Sequence, residues 1–413
     1  MFGKGGRDLP RYPKITPPLI PMPRTTRWHK PDVQLTSPFT LWLKREDLVH
    51  FSELLRSFIQ QVEEQLGISV EISCESSPPQ GFHLSLQSSA TRFRHEQGYR
   101  LEISDQSIQI EAKSHLGVAL GIQTLQQILL FSGRTVPTCY ITDYPDHDQR
   151  GVYLNLINGG VPRQDTFEEI ICFMSALKLN RLDLFLADAA SRDLFHDWQK
   201  FELQQYGKNR SVEVIWHHHE PLQKKQEEVF FLPLSFRKPY TGVGPISNTQ
   251  FQEWIDLTKK QPAKGISFGL QPDSGVIPTL LFLFYPLVTY AAKSWCYESN
   301  LEEDGHPWLD EIYFHERSGS AAALCHDLAL AIENPEDKDL RAQWIENILR
   351  EKAQLDYLEF QRAGGKWFLN ELQITCDLLL SHLMEEKDVM TVSRKYQQYC
   401  YRRYLPRIDL LPR

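Results

Sequence analysis

Between residues 37 and 148 the spacing of apolar and polar positions changes period several times. Phe39 to Leu43 alternates, which predicts a strand. From Asp47 to Leu66 the apolar residues Leu48, Phe51, Leu55, Phe58, Ile59, Val62 and Leu66 recur at helical spacing, and Gly67 supplies the C′ residue that ends a helix. Ser69 to Cys74 and Phe82 to Leu86 read as short strands. Tyr99 to Ile103 and Ser107 to Glu111 both alternate around a polar turn at Asp105, which predicts a hairpin. Ser114 is placed to cap a helix carrying Val118, Ile122, Leu125 and Ile128 on one face. Gly117 and Gly121 are poor helix formers, but four apart on one face they permit close packing against a sheet.

From residue 149 to 300 strand and helix patterns alternate. Arg150 to Ile157 is a strongly apolar strand. Asp165 is expected as an N-cap, with Glu168 completing a capping box and Phe167, Ile170, Ile171, Met174 and Leu177 as the buried stripe. Arg181 to Leu186, Val212 to Trp216, Val229 to Leu234 and Gly265 to Leu270 read as strands. Helices are expected near Asp193 to Gln205 and Thr249 to Lys260. This alternation implies a parallel sheet with helices outside it.

The remainder, 301–413, is mostly helical in pattern, with segments Ser318 to Glu333, Asp339 to Arg362, Lys366 to Glu385 and Val392 to Tyr404. Residues 1–36 are rich in Pro, Arg and Thr and predict extended chain on a domain surface, because the residue before Pro resists helix. The expected architecture is therefore α/β: an extended segment 1–36, a small α+β domain 37–148, a (β/α) barrel-like domain 149–300 and a helical region 301–413.

Composition changes this picture little. Apolar residues at 41% and charged residues at 24% fit a globular chain and not a disordered one. A net charge of -8 gives no phosphate-backbone partner, so nucleic acid is not expected. The apolar run Ile277 to Ala292 is interrupted by Pro278 and Pro286 and is shorter than the roughly 20 residues of a spanning helix, so no membrane partner is expected. The seven cysteines include no C-x-x-C pair, so neither a disulfide framework nor a zinc site is expected. With no apolar leader at the N-terminus, the expectation is a cytoplasmic location and no cofactor.

His217-His218-His219-Glu220 follows a predicted strand. On extended chain His217 and His219 share a side and could ligate a metal, while Glu220 could act as an acid–base group. The plainer reading is a polar loop, and no third ligand is placed by the sequence. Trp198, Trp216, Trp254 and Trp295 could stack on sugars or pack in a core.

Four stretches, in order, resemble the family-20 glycoside hydrolases, the β-N-acetylhexosaminidase group. Gly98-Tyr99-Arg100-Leu101, Ile108 to Ala112 and Gly121-Ile122-Gln123-Thr124-Leu125 resemble the hairpin and helix of the family's small N-terminal domain. Ile141-Thr142-Asp143-Tyr144-Pro145 running into Arg150-Gly151-Val152 resembles the junction to the first barrel strand. Lys178-Leu179-Asn180-Arg181-Leu182 is similar to the entry to the second strand, and Gly265 to Gly275 with Tyr290 to Trp295 to the last strand and its helix.

The resemblance implies a (β/α) barrel acting on terminal N-acetylhexosamines, with the substrate's acetamido oxygen as nucleophile and an Asp-Glu pair on the fourth strand. No Asp-Glu pair lies between Arg150 and Trp295, and the pair Asp310-Glu311 falls in the tail. Only 146 residues separate Arg150 from Trp295 inclusively, against the roughly 200–250 of a complete eight-fold barrel. By order, the five strands look like the first two and the last three. By the same resemblance Arg150, Asp188 and Asp273 match positions that contact substrate, and Gln271 stands where the family has a stacking Trp. For Arg150 the alternative is an ion pair with Asp143, Asp146 or Asp148, and for Asp188 a loop or cap acid. The expectation is a catalytically degenerate hexosaminidase-like protein that binds an N-acetylhexosamine-containing sugar or serves a structural role. Its open sheet edges would be covered by the tail or by a second copy in a homo-oligomer. The alternative is an active glycosidase with a rebuilt site built on Asp188 and Glu220.

Overall fold

The computed structural model describes residues 17–156 without 89 and 91, then 161–186, 195–218, 229–236, 265–272, 280–298 and 338–355, with single positions elsewhere, mainly between 372 and 384. The first sheet has seven strands: β1 (Thr25–Gln34), β2 (Phe39–Leu43), β3 (Val70–Ser73), β4 (His83–Gln87), β5 (Tyr99–Ile103), β6 (Ser107–Ala112) and β7 (Thr135–Asp143). Their order is β1-β7-β5-β6-β4-β2-β3. Helices α1 (Leu48–Leu66) and α2 (His115–Ser132) share one apolar core with this sheet.

The expected hairpin is β5–β6, paired antiparallel from Tyr99↔Ala112 to Ile103↔Ile108. Gly67 takes φ 61° at the end of α1, and the Ser114 side chain accepts from the Gly117 amide at the start of α2. The two glycines of α2 do what their spacing suggests. A Cβ on Gly117 would lie 2.6 Å from the Gly98 carbonyl, and one on Gly121 would lie 2.6 Å from Ile110.

The Pro-rich N-terminal segment is extended, but part of it is a strand. β1 forms one edge of the sheet against β7, and its register shifts between His29 and Val33, around Pro31. An edge strand tolerates the missing proline amide. β7 itself, a central strand of nine residues, was not expected as a whole.

The second sheet is parallel throughout: β8 (Gln149–Asn155), β9 (Arg181–Phe185), β10 (Glu213–His217), β11 (Val229–Phe236) and β12 (Gly265–Pro272). Its order is β10-β9-β8-β12-β11. All five expected strands are present, but they divide differently. β8, β9 and β10 follow one another on one side of the sheet and β12 and β11 complete the other, so the split is three and two.

Helices α3 (Gln164–Ala176) and α4 (Asp197–Lys208) connect the first three strands. α3 begins after Arg163, and Asp165 lies in its first turn, so the expected cap is displaced by two residues. The Asp165 carboxylate accepts from the next amide, Thr166, and an acid in a first turn complements the helix dipole. α4 starts four residues later than its pattern suggested, with the Gln199 side chain accepting from the His196 amide.

The apolar run becomes α5 (Leu280–Trp295), which contains Pro286. Among the described residues no helix is long and apolar enough to cross a membrane. In the tail, α6 (Lys338–Leu355) overlaps the helix expected at Asp339 to Arg362 and begins one residue before it. The other expected tail helices and the one near 249–260 lie outside the described residues, apart from single helical positions.

Candidate functional site

Strand alternation gives the parallel sheet two chemically different faces. Val152 and Leu154 of β8, Leu182 and Leu184 of β9, and Ile266 and Phe268 of β12 point to the helix side and are buried. The other face carries Gly151, Tyr153 and Asn155, then Arg181, Asp183 and Phe185, and then Ser267 and Gly269. On this inner face small residues sit under large ones. A Cβ on Gly269 would lie 1.8 Å from the Tyr153 ring, so the ring crosses directly over that glycine. A Cβ on Gly151 would lie 2.7 Å from the Ser267 hydroxyl. The Tyr153 ring meets Phe185 edge-on at 5.8 Å, and Phe185 stacks on His217 at 4.3 Å. Burial pushes the Tyr153 hydroxyl well above its ordinary pKa.

Asp183 is fully buried in the middle of this face. Its Oδ1 accepts from Arg181 Nη2 at 2.8 Å and pairs with His217 Nε2 at 2.8 Å. Its Oδ2 accepts from Arg181 Nε at 2.9 Å and Ser267 Oγ at 3.1 Å. A carboxylate offers about four acceptor positions, and here all four are used by protein groups. The carboxylate therefore fixes the ring of His217 at the C-terminal end of β10 and has no capacity left for a ligand.

The expected substrate-binding role of Arg150 is not supported by its position. Arg150 starts β8 on the helix side, at the end of the strand opposite to where parallel sheets of this kind carry their sites. It is fully buried. Its guanidinium donates to the carbonyls of Lys178 (3.0 and 2.8 Å), His147 (2.5 Å) and Asp148 (3.1 Å), and it lies over the Trp295 ring at 4.7 Å. The alternative of an ion pair with Asp143, Asp146 or Asp148 is also not what forms, since backbone carbonyls take these donors. Burial lowers its pKa to about 10.

Of the remaining expected residues, His217 is on the inner face, held by Asp183 and Phe185. Asp188, Asp273, His219 and Glu220 lie outside the described residues. Among the described residues no group of three His, Cys, Asp or Glu side chains could hold a metal ion. Trp295 is core and Trp198 is 57% exposed.

The motif residues that matched without an assigned role turn out to join the two sheets. Asp143, at the end of β7, is buried. It accepts from Lys178 Nζ at 3.0 Å, Tyr99 Oη at 2.8 Å and Trp295 Nε1 at 2.9 Å. The Lys178 ammonium lies over the rings of Tyr99 and Trp295, at 4.9 and 4.4 Å. Lys178 follows α3 with φ 59°, a conformation that favours glycine, so its side chain is held there at a backbone cost. Burial lowers the Lys178 pKa against the opposing pull of Asp143.

His147, beside this junction, predicts a pH dependence. Burial and, secondarily, the Arg150 charge lower its pKa to about 4, although Asp146 and Asp148 pull it up. Between about pH 6.5 and pH 4 the unfolded chain binds a proton that the folded chain does not, so stability falls as pH falls through that window. The loss is at most about 3 kcal/mol. Urea unfolding from pH 7 to 4 should show this slope, and His147→Gln should flatten it; an unchanged slope in the variant would refute the assignment.

Arg181, Asp183, Ser267 and Tyr153 are inner-face residues to which the sequence alone assigns no function. Their signal was there: Arg181-Leu182-Asp183-Leu184 alternates charged with apolar, and a strand with a charged face in a buried parallel sheet needs partners for those charges.

Residues 16–144 match the family model described as glycosyl hydrolase family 20, domain 2. No sequence among the curated proteins matches the chain. Among solved structures, CpGH84D is similar over 93% of this chain and 90% of its own, at 12% identity and a TM-score of 0.61, a likeness of fold. The GH20 exo-β-N-acetylglucosaminidase of Vibrio harveyi, in complex with N-acetylglucosamine, is 15% identical over 48% of this chain and 36% of its own, with a TM-score of 0.39. The GH20 β-N-acetylhexosaminidase of Streptomyces coelicolor A3(2) is 17% identical over 52% of this chain and 47% of its own, with a TM-score of 0.42. The chain thus spans less than half the length of these two enzymes.

Proposed function

We propose that this family-20 glycoside hydrolase-like chain, with its family domain at residues 16–144, binds an N-acetylhexosamine-containing sugar and does not hydrolyse it. The sugar lies at the C-terminal mouth of the parallel sheet, beyond Asn155, Phe185 and His217. The observation that carries this reading is the state of Asp183. A glycosidase needs a carboxylic acid able to give a proton to the leaving oxygen. The carboxylate at the centre of the inner face spends all four acceptor positions on Arg181, His217 and Ser267. The sequence between Arg150 and Trp295 also has no Asp-Glu pair.

The test is a titration with N-acetylglucosamine and N-acetylgalactosamine by calorimetry, beside turnover of the 4-nitrophenyl N-acetylhexosaminides from about pH 4 to 8. Saturable binding without turnover above buffer is the expected result. Turnover that disappears in Glu220→Gln or Asp188→Asn would establish the alternative, a rebuilt carboxylate site. Absence of binding to either sugar would overturn the ligand class.

A further inference from the structure

The parallel sheet ends at β10, which pairs on one side with β9 and, among the described residues, with no strand on the other. The Glu213 amide donates to the Asn180 carbonyl at 2.9 Å, and the His217 carbonyl accepts from the Leu186 amide at 2.8 Å. Backbone groups alternate sides along a strand, so Glu213, Ile215 and His217 are the residues bonded to β9. Val214 and Trp216 turn their amides and carbonyls to the bare edge. α4 overlooks this edge, since its Gln204 side chain donates to the Val214 carbonyl at 3.3 Å. The other flank of α4 meets α3, where Gln164 donates to Glu202 at 3.4 Å and Tyr206 contacts Cys172 at 3.2 Å.

The flank above the edge carries Asp197, Phe201, Gln204 and Lys208, spaced four, three and four residues apart and therefore on one stripe. Phe201 is 60% exposed, and Asp197 and Lys208 are exposed at opposite ends. Laid against a reversed copy of itself, this stripe sets Asp197 opposite Lys208 and Phe201 opposite Gln204. Charge is thus complementary to a second copy of the same surface. β10 has the same property about Ile215. Val214 meets Trp216, and their outward amides and carbonyls can exchange hydrogen bonds as in an antiparallel pair. Glu213 meets His217 and not its own counterpart, which avoids like charges directly opposite.

The two centres coincide. A Cβ on Gly207 would lie 2.5 Å from the Val212 carbonyl and 2.7 Å from Val214, which puts Gly207 level with Glu213. α4 and β10 run in opposite directions. At ~1.5 Å per helical residue, the middle of the stripe, between Glu202 and Leu203, lies about 7 Å further on. At ~3.3 Å per strand residue that is the level of Ile215. One two-fold axis therefore serves strand and helix. The Val214 carbonyl has a second lone pair for the partner's Trp216 amide beside Gln204.

We propose that two copies of this chain join through β10 and α4 about this axis, across an antiparallel seam between the two β10 strands. Such a contact is isologous and closes at two. Sedimentation velocity of the full chain over about 1–100 μM is expected to show a reversible monomer–dimer equilibrium. Hydrogen exchange of the Val214 and Trp216 amides should slow as the dimer fills. Phe201→Glu should weaken the dimer about tenfold or more. Asp197→Lys and Lys208→Asp should each weaken it about tenfold, because symmetry turns two attractive pairs into repulsive ones. The double exchange should return it to within about twofold of the parent. All three positions are exposed, so circular dichroism and an unchanged thermal midpoint, at a concentration where the parent is monomeric, verify each fold. A chain that stays monomeric at the highest concentration overturns the proposal. So does a dimer indifferent to these exchanges, one that the double exchange fails to restore, or one that leaves the Val214 and Trp216 amides unprotected.

Discussion

Asp143→Asn is expected to lower stability by about 3–5 kcal/mol, the usual cost of removing one partner of a buried ion pair. The amide keeps an oxygen for Trp295 Nε1 or Tyr99 Oη but cannot hold both together with the ammonium. Lys178 is then left buried between two rings without a counter-charge. Its pKa is already lowered by burial, so loss of the carboxylate pushes it further toward the neutral amine. Adding Lys178→Met removes the orphaned charge at similar length, and the double variant should regain roughly half of the loss, because replacing a whole buried pair is far cheaper than breaking one. Urea unfolding of the four members of the cycle measures this. A cost for Asp143→Asn below about 1 kcal/mol, or single effects that simply add, would mean that the pair does not couple the sheets. The consequence extends beyond local stability. Trp295, at the end of α5, is counted in the core of the first sheet, so the junction ties the helix after the last parallel strand to the small domain.

Much of this junction was legible in the chain as motif and illegible as role. The residues around Asp143, Arg150, Lys178 and Trp295 stood out because they resemble a family pattern, and the resemblance suggested that Arg150 reaches a sugar. Strand parity argues otherwise. Arg150 lies on the same face as Val152 and Leu154, which are buried on the helix side, whereas Gly151 and Tyr153 face inward. A buried guanidinium that finds four carbonyl contacts needs no ligand to justify it. Parity is readable from sequence once the strand is placed, and it puts Arg150 on the helix side of β8.

Other features are not readable in this way. β7 spaces Val136, Cys139 and Ile141 irregularly and contains Pro137, features that disfavour an interior strand. The pairing of β10 with β9 depends on how α4 returns the chain, which no local pattern encodes. The helix patterns fared best. α1 and α2 are framed by Gly67 and Ser114, where backbone conformation and side-chain chemistry agree with hydrophobic period.

Asp183→Ala is expected to cost a comparable amount, about 3–5 kcal/mol, because it strands the Arg181 guanidinium inside the sheet. Arg181 is buried and gives two of its bonds to this carboxylate, while its Nη1 donates to the Gln149 side chain at 3.2 Å. His217→Gln should cost much less, about 1 kcal/mol, since Asp183 keeps three of its four bonds and a neutral hydrogen bond contributes on that order. The contrast matters for function as well as for stability. If the carboxylate is saturated as the geometry has it, Asp183 is part of the filling of the parallel sheet's inner face, alongside Tyr153 over Gly269. The inner face then has no acid at its centre to protonate a glycosidic oxygen. If Asp183→Ala instead unfolds within about 1 kcal/mol of the parent in urea, Arg181 does not depend on this carboxylate. Asp183 would then be available for chemistry, and a binding role without hydrolysis would be overturned. Thermal and urea unfolding of the two variants, run beside the turnover assay, separates these outcomes.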